Sequence, residues 1–219
     1  NTPGYSRQRV ELAASMPFTM SPGIQLGSGV DVMGITRLVD EGLERRLRLQ
    51  SGLVAAAEVD QSRFDELEGL LNEPDGGLSS GLDGFFGSIS RLQTQPGDRA
   101  LRGGVVQSGA QLAEGFQLLS RRLADLGAST FDEVRGLVRE ANTLTRSIAD
   151  LNTQITSLEA NGSSANDLRD TRTQQVKRLS ELIDVNAVER PTGAVDVLVG
   201  GRLVVAGNRA TELSVGKST

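Results

Sequence analysis

The chain has no cysteine and no histidine. The first absence removes disulfides, thiolate metal sites and cysteine nucleophiles. The second removes the commonest general base and the commonest metal ligand. Any catalysis would fall to carboxylates, lysine or serine alone, and no enzyme is expected. Tryptophan is absent too and aromatics are 3% of the 219 residues. The core must therefore come from Leu, Val, Ile and Ala, which suits close helix packing better than a broad ligand cavity. No run approaches 18 consecutive apolar residues, so no membrane insertion is expected, and no secretory signal is visible. The chain opens on Asn1 rather than Met and reads as a trimmed product. With 23 basic and 28 acidic residues the net charge is −5, and no block of five like charges occurs. That balance argues against a nucleic-acid partner.

What the chain does have is a long apolar stripe. Leu112, Phe116, Leu119, Leu123 and Leu126, then Val134, Leu137, Ala141, Leu144, Ile148, Leu151, Ile155 and Leu158, alternate steps of three and four. That is a heptad seam, which holds one narrow face of a helix against partner helices. The step from Leu123 to Val134 is eleven residues, a stutter that locally unwinds a left-handed supercoil. A helix from Arg99 to Ala160 would run about 90 Å at ~1.5 Å per residue.

The fold class expected is mainly α: a long antiparallel helical bundle, rod-like and heptad-patterned, with an N-terminal extended or β arm and the start of a β-rich domain at its C-terminal end. Residues 1–34 read as the arm, punctuated by Pro3-Gly4, Ser21-Pro22-Gly23 and Gly27-Ser28-Gly29. Residues 35–184 read as the helical rod domain. Its first helix starts near Ile35 and ends before Pro74, and Asp75-Gly76-Gly77 breaks the chain before a second helix. Asp98 is the expected cap of the rod helix, and Asn161-Gly162-Ser163-Ser164 turns into a last helix over Ala165–Ile183. Residues 185–219 begin a β domain: Val195, Val197 and Val199, then Leu203 and Val205, flank Gly200-Gly201 as a hairpin.

Sites of familiar chemistry do not emerge. Gly23 to Gly29 is spaced G-x-x-x-G-x-G with no Lys-Ser/Thr after it, so it reads as turn glycines rather than a phosphate loop. Asn166, Asp167, Asp170 and Glu181 lack the order of a calcium loop. Capping of the last helix by Ser164 or Asn166 accounts for them at less cost. No metal and no cofactor is expected.

Three segments carry a family resemblance. Asn1-Thr2-Pro3-Gly4-Tyr5-Ser6-Arg7-Gln8 resembles an N-terminal signature in which Asn precedes a Gly-Tyr-Ser/Thr-Arg-Gln string. Gly27-Ser28-Gly29-Val30 with Ile35-Thr36-Arg37 resembles the Gly-x-Gly-Val and downstream Arg of flagellar axial proteins. Leu151-Asn152-Thr153-Gln154-Ile155 and Asn166-Asp167-Leu168-Arg169-Asp170-Thr171-Arg172 resemble a Leu-Asn-x-x-Ile, then Asn-x-Leu-x-Asp-x-Arg, pattern. Together they are similar to the bacterial flagellar hook-associated protein 1 family, of the hook–filament junction; Thr173 departs from an acid frequent there.

The resemblance implies a structural subunit of the flagellum, exported by the type III route to the extracellular flagellum and assembled as a ring. Its implied partners are further copies of itself, the hook protein on one side, and a second junction protein or the filament on the other. It also implies an export chaperone acting on a C-terminus absent from this sequence, with further terminal helices and most of the β domain absent as well. Tyr5, Arg7 and Gln8, with Arg37, are the expected fixing contact, against either the helical domain or a neighbouring subunit. Tyr5 has apolar area with a polar tip and the others have donors; local packing of Tyr5 on its own domain is the alternative. Because too few helices are present to cover the seam, part of it within Leu112–Leu126 or Leu144–Leu158 is expected to be exposed or covered by a second chain. Two rivals remain at this point: a coiled-coil adaptor binding a partner through its exposed seam, and a hydrolase built on two convergent carboxylates.

Overall fold

The computed structural model describes residues 4–16, 18–21, 24–71 and 77–216. The turn residues Pro3, Pro22-Gly23 and Pro74 to Gly76 lie outside them, as does the Asn1-Thr2-Pro3 start of the N-terminal signature. Two compact units are present: Asn1–Ala56 with Leu137–Thr219, and Ala57–Gly136. Residue 184, where the sequence period changes, lies inside the first unit.

The arm is a two-stranded antiparallel ribbon of β1 (Arg7–Ala14) and β4 (Val30–Leu38), paired from Arg7↔Leu38 to Ala14↔Val30 with an irregularity between Glu11 and Leu12. Between them β2 (Phe18–Ser21) and β3 (Ile24–Leu26) form a second small ribbon. The first helix does not begin at Ile35 as the sequence suggested. Residues 35–38 finish β4, because the branched residues Ile35 and Thr36 pair with Val10 and Arg9. Helix α1 (Glu41–Leu71) starts only after Asp40, whose Oδ1 accepts the Leu43 N–H at 3.0 Å.

In the second unit α2 (Leu78–Thr94) packs on the early part of α3 (Arg99–Ala160). Small residues set the approach: Ser88 and Ser108 hydroxyls meet at 2.8 Å, and the Phe85 ring lies over Gly109. Asp98 caps α3 as expected, accepting from the Ala100 and Leu101 N–H groups at 2.7 and 3.3 Å. Along this stretch Phe116, Leu123 and Val134 are exposed, while Leu112, Leu119 and Leu126 are half-buried.

The first unit holds the principal core. There Leu144, Ile148, Leu151 and Ile155 of α3 are buried, whereas Leu137 and Leu158 at the margins stay exposed. Ala141, Leu144 and Ile148 meet Val176 and Leu179 of α4 (Asn166–Leu182) and Val195, Val197, Val204 and Val205 of a sheet. That sheet runs β5 (Val185–Glu189), β6 (Val195–Val199), β7 (Arg202–Ala206) and β8 (Arg209–Ala210) in sequence order, all antiparallel. Gly200 and Gly201, at φ 55° and 78°, form the two-residue turn between β6 and β7, a conformation that penalises a side chain. The sheet buries its valines on α3 and α4, in keeping with the small core that so few strands could form alone.

Candidate functional site

About two and a half turns of α4, from Asn166 to Gln174, organise the first unit. At the arm, Asp170 is 2% exposed. It accepts from Ser6 N at 2.9 Å, Ser6 Oγ at 2.6 Å and Arg37 Nε at 2.6 Å. Arg37 Nη2 also donates to Thr173 Oγ1 at 3.0 Å, so the residue that departs from the family pattern still takes part. On either side, Asn166 Nδ2 donates to the Ile35 carbonyl at 2.8 Å and Gln174 Nε2 to the Gly4 carbonyl at 2.9 Å. Ser164 Oγ donates to the same Ile35 oxygen at 3.3 Å. The expected capping role of Ser164 and Asn166 is therefore corrected: the N-cap is Ala165, with no side-chain cap, because both side chains are drawn to the strand carbonyl.

At the sheet, Asn152 of α3 is 1% exposed and uses both ends of its amide. Nδ2 donates to the Val195 and Gly207 carbonyls at 2.8 and 2.7 Å, while Oδ1 accepts from Val195 N and Arg172 Nη1, each at 2.9 Å. Arg172 Nη1 donates also to the Gly193 carbonyl at 2.6 Å. Ten residues before Asn152, Asn142 repeats the device by exchanging two bonds with the Leu213 backbone, at 2.9 and 2.8 Å. Arg169 grips Glu159 through two nitrogens at 2.7 and 2.9 Å and reaches Glu189 with a third.

The charges follow from these contacts. Arg169's hydrogen bonds hold the Glu159 carboxyl below the usual carboxylate range, against the opposing effect of burial. The same bonds to Glu159 raise Arg169. Burial pushes Arg172 down to about 10, opposed by Glu189, so it remains charged at neutral pH. Beside these groups lies a cleft of about 980 Å³ between the arm base, α1, α4 and β5. Among the described residues no cluster of acids suited to a metal ion occurs, and no helix is long and apolar enough to cross a membrane.

A family model described as the flagellar hook-associated protein FlgK helical domain matches residues 64–219. The chain belongs to that family. Flagellar hook-associated protein 1 of Bacillus subtilis is 30% identical over 203 residues, 88% of this chain. The protein of the same name from Salmonella typhimurium is 27% identical over 217 residues, 98% of this chain. The chain spans 39% of the length of each. A solved structure, the flagellar hook junction protein FlgK from Burkholderia pseudomallei, has the same fold, with a TM-score of 0.70 at 23% identity over 76% of this chain and 30% of its own.

Of the four expected contact residues, all before the stretch that the FlgK helical-domain model matches, the structure brings one, Arg37, onto α4. Tyr5, Arg7 and Gln8 are exposed on the arm and take no part in the Asp170 network. Ser6 lies inside the expected contact segment from Tyr5 to Gln8, whereas Asp170, Asn152 and Asn142 were not singled out as contacts from the sequence. Asn152 did carry a signal: it lies four residues after Ile148 and three before Ile155, a polar residue on the buried face of α3.

Two expected outcomes follow. At Gly193 the backbone has φ 81°, and an added Cβ would stand 2.7 Å from Glu159 Oε2 and 2.8 Å from Arg169 Nη2. Gly193→Ala should therefore cost about 1–3 kcal/mol of stability, read from urea denaturation. Glu159, with its folded pKa lowered, contributes stability that is complete above its unfolded value and is lost as pH falls through the folded one. The thermal midpoint should accordingly fall below about pH 4, and Glu159→Gln should flatten that part of the profile.

Proposed function

We propose that this chain is the helical portion of a hook–filament junction subunit, with a mechanical rather than a catalytic role. The family match over residues 64–219 carries this reading, supported by two relatives named Flagellar hook-associated protein 1. The subunit would be exported by the flagellar type III route and would assemble outside the cell as a ring, with hook protein on one side and a second junction protein or filament on the other. The motif residues of α4 support a mechanical part, since Asp170, Arg169 and Arg172 are spent on holding arm, helix and sheet together. The acids Glu159 and Glu189 are both bound to Arg169, and Glu159 is lowered, the reverse of the raised carboxyl that a glycosidase acid needs. Exposed Tyr5, Arg7 and Gln8, and the exposed seam residues Phe116 and Leu123, are the proposed contacts with neighbouring subunits. Restoring the full-length protein to cells deleted for their junction protein should restore swimming; unchanged paralysis would overturn this reading.

A further inference from the structure

Among the described residues, the arm enters no core. None of β1 or β4 is buried, and none belongs to the apolar cluster of α3, α4 and the sheet. What seats the arm is a set of directed polar bonds. Ser6 and Arg37 hold Asp170, Arg37 holds Thr173, Asn166 and Ser164 hold the Ile35 carbonyl, and Gln174 holds the Gly4 carbonyl. Beside these bonds lies the open cleft, lined by Ile35 and Thr36 of the arm and by Val176 of α4. Arg172 is lowered first by burial and further by the like charges of Arg169 and Arg37, so a seated Arg37 is opposed as well as held.

The arm also hangs from a short hinge. β4 ends at Leu38 and α1 begins at Glu41, with only Val39 and Asp40 between them. Eight residue pairs tie β1 to β4, and Ser6 and Arg37 lie at the end of the ribbon nearest that hinge, so the two move together. Contacts that are polar and little buried open without the rest of the fold. An intact element on a short hinge is what two copies exchange at low cost, since every bond broken on one copy is made again on the other.

We propose that, in the assembled state, the arm of one copy leaves its own α4 and takes the same seat on the α4 of the next copy. The seat itself specifies the occupant. Asp170, Thr173, Asn166 and Gln174 match two carbonyls, one backbone N–H and two side chains at fixed places along the arm, and a second copy carries that set unchanged. In dilute solution the tethered arm outcompetes a foreign one through its effective concentration. A neighbour held at fixed spacing removes that advantage. Arm and seat are different surfaces, so each copy gives one and receives one, and the exchange runs head-to-tail. The inference rests on reading the chain as a self-assembling subunit.

The chain has no cysteine, so introduced thiols report the contact cleanly. An arm donor carries Tyr5→Cys with Asp170→Ala, which keeps its arm off its own α4. A seat donor carries Gln174→Cys with Ser6→Ala and Arg37→Ala, which empties its own seat. Combined under mild oxidation, they should form the mixed disulfide about tenfold or more faster than when the seat donor also carries Asp170→Ala. Chains carrying Tyr5→Cys or Gln174→Cys alone should cross-link more slowly than that pair, yet faster than Tyr5→Cys with Val106→Cys, an exposed position elsewhere. Equal rates in either comparison would overturn the proposal. Asp170→Asn takes the place of Asp170→Ala if the latter loses the helical circular dichroism signal. Swimming restored by the full-length protein without the cross-link sinks the exchange alone. A cross-link without restored swimming sinks the junction reading and leaves the exchange standing.

Discussion

Asn152→Ala should lower the stability of the first unit by about 3–5 kcal/mol. The side chain is 1% exposed and makes four hydrogen bonds. Its removal strands the Val195 N–H, deprives two carbonyls of a donor, and takes one of two acceptors from the buried Arg172 guanidinium. Asn142→Ala is the internal comparison: it loses two bonds at a half-buried position and should cost about 1–2 kcal/mol. Urea denaturation followed by circular dichroism measures both. Equal losses would show that burial does not set the strength of these clamps.

The second large effect is at the arm. Asp170→Ala removes the acceptor shared by Ser6 and Arg37 and leaves a guanidinium with 14% of its side-chain surface exposed facing no carboxylate. Breaking such a pair from one side costs about 3–5 kcal/mol, and here that cost falls on docking of the arm rather than on the core. The expected readout is local: rapid tryptic cleavage after Arg7, Arg9 and Arg37 and fast amide exchange in β1 and β4, with the urea transition of the helices little changed. Arg37→Met combined with Asp170→Leu should recover much of the docking, since apolar replacement of both partners leaves no stranded charge. If the double variant is as labile as Asp170→Ala, the arm depends on the directed bonds themselves.

The seam, the Asp98 cap and the Gly200-Gly201 hairpin were legible because periodicity, capping and turn chemistry are local properties, written within a few residues of one another. The start of α1 was not. Ile35-Thr36-Arg37-Leu38-Val39 is too short for its apolar positions to separate helix from strand, and its strand state depends on β1, more than twenty residues earlier. The roles of Asn152 and Asp170 were hidden for the same reason on a larger scale. Asp170 meets Ser6 across 164 residues and Asn152 meets Val195 across 43, and local reasoning assigned the acids of α4 to capping. The unequal burial of the heptad seam was half legible: too few helices to cover it could be counted, but not that the sheet would take the stretch from Leu144 to Ile155.

The arm's seat on α4 also has a mechanical side. A pull on the N-terminal strand first loads the Gly4–Gln174 and Ser6–Asp170 bonds, which sit at the near edge of the seat and break one after another, as in peeling. The sheet is fastened differently: Asn152 holds β6 at Val195 and the turn at Gly207, and ten residues earlier on α3 Asn142 holds Leu213 beyond β8, so the same force must shear both together. Under tension the arm yields first and alone, a compliant element in series with a stiff one.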